Sequence, residues 1–203
     1  MPGAQCGAEP AGRDRTVKGD ETIWIQSTRG PDHEPVCQVT WGPVQYYAPI
    51  DDVRETALDL MTCAAYAEMM MTLVLRVRIP PEVVSKFTTD LLGGREKRYF
   101  GAKTTLTLMP AGSSKNREAL VLLQRGSLRG AVSPDEARAM ALRWLAVAEA
   151  TESDQLVSEA LRATGACDDA AQEKVFGYLR ELRADCNLHD RDSDLCHSCP
   201  YIA

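Results

Sequence analysis

Apolar positions along this chain keep two different rhythms, and the rhythm changes where turn-forming residues cluster. Ile23–Gln26 (IWIQ) and Leu106–Met109 (LTLM) alternate with a period of two, as half-buried strands do. Val36–Trp41 and the run Ala119–Leu123 (ALVLL) are short apolar stretches of strand length, and Val44–Tyr47 is a third, shorter one. From Ser133 the period becomes helical. Ala137, Met140, Ala141, Trp144, Leu145 and Ala148 form a single stripe. Ser133 is a suitable N-cap, Pro134 stands where a missing N–H costs nothing, and Glu136 completes a capping box. Asp135 adds negative charge at the positive end of the helix dipole.

The same phrase occurs earlier in the chain, at the constant offset that takes Gly126 back to Gly42. Val53, Thr56, Ala57, Leu60, Met61 and Ala64 occupy the stripe, predicting a first helix from about Asp51 to Met70. Over Val36–Glu68 against Leu120–Glu152, 7 of 33 positions are identical without a gap, Gly42/Gly126, Asp51/Asp135 and Arg54/Arg138 among them. The expected fold is therefore α/β of the α+β kind: tandem duplicated β-β-(β)-α units, whose antiparallel sheets are backed by helices sharing one core. Four segments follow from this: a tail at 1–20, a first unit at 21–94, a second at 95–165, and a C-terminal helix with a short Cys/His tail at 166–203. Between the units, Thr72–Arg78 (TLVLRVR) alternates and reads as a strand. Pro80-Pro81 opens a short helix to about Leu92, which Gly93-Gly94 ends. After the second unit, one helix is expected over Asp154–Thr164, closed by Gly165, and a last one over Asp169–Ala184.

Composition narrows the function classes. A hydrophobic fraction of 44% is ordinary for a folded domain. No apolar run approaches the roughly 18 residues of a membrane span, and the first twenty residues lack the apolar core of a secretion signal. Their Gly, Pro and charge content predicts a disordered tail, and the expected location is the cytoplasm. The net charge of −6 is unevenly placed: residues 76–129 carry 11 basic and 4 acidic side chains between two acidic flanks.

Two clusters carry candidate chemistry. In the tail, Cys186 and His189 form C-x2-H, and Cys196 and Cys199 form C-x2-C, with His197 an alternative ligand. One turn of chain places each pair on one ion, so the expectation is a structural zinc knuckle with no open coordination position. An iron–sulfur cluster using Cys167, Cys186, Cys196 and Cys199 is the competing ligation, although its spacing fits no common pattern. The second cluster is the segment between the units, where Arg95, Lys97, Arg98 and Lys103 surround Tyr99 and Phe100. Arg76, Arg78, Lys115, Arg117, Arg125 and Arg129 lie nearby in sequence. Cations neutralise phosphates and aromatic rings stack on unpaired bases, so this segment is the nucleic-acid candidate. A solvated linker explains the same residues. Cys37 and Cys63 read as buried apolar side chains, and Trp24, Trp41 and Trp144 as core. His33, between Asp32 and Glu34 in a turn-forming loop, is the one histidine outside the tail, and no nucleophile motif or phosphate loop occurs.

The phrase from Gly126 to Arg138, GSLRGAVSPDEAR, resembles a module of small α/β proteins of actinobacteria and their phages. The resemblance implies an origin and carries no activity to any residue. The expectation is a non-enzymatic interaction or regulatory protein that binds a macromolecular partner, with self-association compatible. The alternative is a nucleic-acid-binding protein using residues 95–129.

Overall fold

The computed structural model describes residues 23–88, 90, 106–113, 116–165 and 168–189, with side chains described through Arg183. Three strands open the described chain: β1 (Ile23–Arg29), β2 (Pro35–Trp41) and β3 (Val44–Ala48). They form an antiparallel meander in the order β1-β2-β3. Helix α1 (Ile50–Thr72) follows and continues into a π-helical turn, Leu73–Val77. A short helix, α2, covers residues 81–88. A second meander is built from β4 (Thr107–Ser113), β5 (Glu118–Arg125) and β6 (Leu128–Val132), in the order β4-β5-β6. Helices α3 (Pro134–Thr164) and α4 (Asp169–His189) complete it. The protein is thus mixed α/β, with two three-stranded antiparallel sheets and four helices among the described residues.

The turns explain why each meander closes. Trp41 pairs with Val44 and Arg125 with Leu128, so both second hairpins have two-residue loops. Gly42 and Gly126 stand first in those loops at φ 54 and 57. A positive φ there matches the twist of the flanking strands, and only glycine adopts it without steric cost. The first hairpins carry their own left-handed residues, His33 (φ 60) and Arg117 (φ 59). The ladders β2–β3 and β5–β6 superpose at the offset that takes Gly42 to Gly126, whereas β1–β2 and β4–β5 do so with one residue fewer in the second loop.

The helices exchange sheets. Helix α1 lies chiefly against β4 and β5, and α3 against β1 and β2, while the two helices pack along each other. One core results. Ile23, Ile25, Val39 and Trp41 of the first sheet meet Val121 and Leu123 of the second beneath Val53, Ala57, Leu60, Ala64, Ala137, Ala141, Trp144 and Ala148. Alanines Ala57, Ala64, Ala141 and Ala148 are fully buried, which lets the two helix axes approach closely. Leu60 and Trp144, equivalent positions of the two stripes, are also fully buried.

Ion pairs repeat the reciprocity. Arg54 of α1 donates to Glu149 and Glu152 of α3, and Arg138 of α3 donates to Glu68 of α1. Each arginine also faces an aspartate one turn earlier, Asp51 or Asp135. The hydrogen bonds from Arg138, ahead of the opposing desolvation, hold the Glu68 carboxyl below its ordinary range.

Several boundaries differ from those read in the sequence. Thr72–Arg78 is not a strand: α1 runs on through the π turn and stops where Arg78 takes a left-handed conformation (φ 61) and its N–H bonds to the Leu73 carbonyl. A strand needs a neighbour to satisfy its backbone, whereas a continuing helix satisfies it locally, and alternation in so short a run does not distinguish the two. With this extension the helix Ile50–Val77 is long and apolar enough to cross a membrane by length and composition, yet Val53, Ala57, Leu60, Ala64 and Ala67 are built into the core. Asp154–Thr164 is not a separate helix either, because no Gly or Pro interrupts α3. The hydroxyls of Thr151 and Ser153 bond back to the carbonyls of Val147 and Glu149 instead of breaking the turn. Helix α4 runs to His189, past the expected end at Ala184. Trp24 is not a core residue. Ile23 and Ile25 point inward, so the residue between them must point out.

Candidate interaction surface

With both helices on one side of the sheets, the other side of each meander faces outward. On the first sheet the period of two sends Trp24, Gln26 and Thr28 out from β1, Val36, Gln38 and Thr40 from β2, and Gln45 and Tyr47 from β3. The register lines these up as Trp24–Thr40–Gln45 and Gln26–Gln38–Tyr47 across the strands. Trp24 is 61% exposed and Tyr47 46%. The Gln26 side-chain N–H donates to the Gln38 carbonyl oxygen at 2.6 Å, which ties the middle of this face together. None of the eight side chains is of a type charged at neutral pH.

The second sheet presents different chemistry on the same scaffold. Met109, Leu122 and Ala131 form one cross-strand row, Ala111 and Leu120 another, and Thr107, Gln124 and Arg129 a third. Met109 and Ala131 are exposed, and Leu120 and Leu122 are half-buried. Ser113 and Glu118 form a fourth row, so five of the ten outward positions are aliphatic or Met, where solvent-facing strand positions are ordinarily polar.

The inner side holds the most structured polar cluster, where α4 docks. Asp154 of α3 is 4% exposed. It accepts from both terminal nitrogens of Arg183 at 2.8 Å and from the Ser27 hydroxyl at 2.7 Å. Arg29 reaches the carbonyl of His33 and lies over the Phe176 ring, with Gln172 and Glu173 at its terminal nitrogens. Beside it, the Cys37 sulfur meets the Thr151 hydroxyl at 3.3 Å, and that hydroxyl also donates to the Val147 carbonyl. Burial pushes the Cys37 thiol above its ordinary pKa despite that bond. The cleft lined by Ser27, Arg29, Pro35, Asp154, Phe176 and Arg180 is about the size of one water molecule, so the cluster fastens a helix and offers no substrate site.

Between the sheets, the Arg125 guanidinium lies 3.2 Å from the centre of the Tyr46 ring. Desolvation raises the Tyr46 phenol to about 12, with the arginine opposing the shift.

Arg95, Lys97, Arg98, Tyr99, Phe100 and Lys103 lie outside the described residues, as do Lys115, Cys167, Cys196, His197 and Cys199. Cys186 and His189 fall in the last turn of α4, where the backbone alone is described. Among the described residues no group of three His, Cys, Asp or Glu side chains converges as metal ligands would. Of the basic residues, Arg125 faces inward over Tyr46 and Arg129 outward beside Gln124, so these two do not share a surface. His33 is a turn residue whose carbonyl is used by Arg29. Trp41 is core, and Trp24 is the surface residue that reading by residue type missed. The alternation Ile-Trp-Ile already placed it outward.

Compared with protein-family models, with curated proteins and with solved structures, the chain matches none.

Proposed function

We propose that this protein is a non-enzymatic interaction protein that docks a protein partner on the outer face of its second sheet. The single observation that carries this is the apolar row Met109–Leu122–Ala131 with Leu120 and Ala111 behind it. A contiguous apolar face outside the core is the usual mark of an association site, because its burial is favourable. The described side chains supply motifs for packing and ion pairing. A photo-reactive residue placed at Leu122 is expected to cross-link a protein partner in extracts of the native host. The same residue at Leu142, an exposed position on α3, is expected to give none. Equal labelling from both positions removes the reading.

The scaffold is read as a tandem duplication. Its support is that the seven residues shared between Val36–Glu68 and Leu120–Glu152 do the same work in both places. Gly42 and Gly126 make the tight turns, Ala57/Ala141 and Ala64/Ala148 are buried, and Leu58 and Leu142 are exposed. The remaining three pairs, Asp51/Asp135, Arg54/Arg138 and Glu68/Glu152, make the reciprocal ion pairs. Such reciprocity is the signature of a two-fold interface. Double-mutant cycles on Arg54 with Glu152 and on Arg138 with Glu68 should give equal coupling; clearly unequal values break the equivalence.

At the C-terminus the reading is a structural zinc knuckle of Cys186, His189, Cys196 and Cys199. Its support is that Cys186 and His189 are one helical turn apart, on neighbouring positions of one face. About one zinc per purified chain is expected, lost on C196S/C199S; metal-free protein with unchanged stability in the presence of a chelator removes it.

A further inference from the structure

We infer that the outer face of the first sheet is a binding platform for an uncharged polysaccharide chain, a function separate from the partner docking proposed for the second sheet. Trp24 and Tyr47 stand on the two edge strands, exposed, with Gln26, Gln38, Thr40 and Gln45 between and beside them. The rings are two strands apart and offset by two residues, roughly 12 Å by ordinary strand spacing and rise. Sugar rings present axial C–H groups that sit on the negative face of an aromatic ring, and their hydroxyls bond to amides and hydroxyls in the sheet plane. Two rings flanking a band of amides and hydroxyls supply both kinds of contact along one line.

Charge decides against nucleic acid here. A quarter of this chain's residues are charged, 26%, yet the eight outward positions of this face carry none. Stacked bases would bring phosphates that no outward cation on the face neutralises. The face measures about 10 Å between its outer strands and about 14 Å along them. A linear chain of sugar rings fits that footprint.

Trp41 and Trp144 are buried, so Trp24 is the one exposed tryptophan and its fluorescence reports on this face directly. The experiment is native affinity electrophoresis of the full chain in gels containing glycogen, a mixed-linkage β-glucan, xylan or mannan, with heparin and single-stranded DNA as charged comparisons. Tryptophan emission is followed in solution with the same polymers. At least one neutral polysaccharide is expected to retard the protein and to protect its emission from acrylamide quenching. Trp24→Ala should weaken retardation about tenfold or more, the order expected for losing one stacking ring. Trp24→Tyr should restore part of it, and Tyr47→Ala should weaken it less. Leu122→Lys, on the other sheet, should leave it unchanged. Since Trp24 is exposed, far-UV circular dichroism of Trp24→Ala should match the parent. The inference is overturned if no neutral polysaccharide retards the protein, if retardation survives Trp24→Ala, or if only heparin or DNA retards it. None of these outcomes bears on cross-linking at Leu122.

Discussion

The two sheets of this protein share a backbone and differ in what covers them. Each is a three-stranded meander closed by a glycine turn and roofed by the helix of the other half. On the first sheet the roof is extended by α4, and the residues beneath it are polar: Ser27, Cys37, Thr151, Asp154. On the second, the places equivalent to Cys37, Thr151 and Asp154 are held by Val121, Ala67 and Met70, and the roof is α1 with its π turn. The outer faces invert the pattern, aromatic and amide on the first sheet, aliphatic on the second. A backbone held by turns, buried alanines and reciprocal ion pairs thus leaves most other positions free to differ, and the function proposed for each sheet lies in those positions.

Truncating the central side chains tests that equivalence most severely. Trp144→Ala should cost about 3–5 kcal/mol and Leu60→Ala about 2–5 kcal/mol in chemical denaturation, both as cooperative single transitions. Separate transitions for the two halves would mean that the core is not shared. The next effect sharpens the difference between the halves. Asp154→Ala leaves Arg183 and Ser27 without their acceptor and should cost about 3 kcal/mol, the low end for a broken buried pair because Arg183 keeps contact with water. Met70→Ala, at the matching place, removes only half-buried apolar surface and should cost about 1 kcal/mol. A smaller and equal effect is expected from Gly42→Ala and Gly126→Ala, about 1 kcal/mol each, since the left-handed turn alone is penalised. No neighbour lies within 4 Å of a Cβ at Gly126, so a much larger loss there would contradict the turn argument.

The smallest effect concerns the contact that joins the sheets. The Tyr46 phenol, raised to about 12, holds its proton more tightly folded than unfolded. Its contribution is whole below the ordinary tyrosine value of about 10 and is lost as pH rises from there to 12. Denaturant titrations between about pH 9 and 11 should show the parent losing stability over that window and Tyr46→Phe losing less. Identical slopes would place Tyr46 in water.

Much of this was legible along the chain. The capping box at Ser133 and Glu136 forms as its spacing implies, with the hydroxyl and the carboxylate each taking a backbone N–H. The glycine turns, the third short strands and the buried stripe of each helix also follow from local pattern. What failed was judged by residue type or by a short window. Tryptophan is large and apolar, so Trp24 reads as core by residue type, yet the phase of its own strand turns it outward. Thr72–Arg78 reads as a strand by an alternation that a helix also tolerates.

By itself the sequence determined the local elements and their phase, because hydrophobic period, cap and turn chemistry act within a few residues. Only the tertiary structure decided that the helices cross to each other's sheets, that Asp154 meets Arg183 and Ser27, and that two sheet faces remain outward. Those outcomes depend on which buried surfaces fit one another between segments far apart in the chain, and packing of that kind leaves no local periodicity to read.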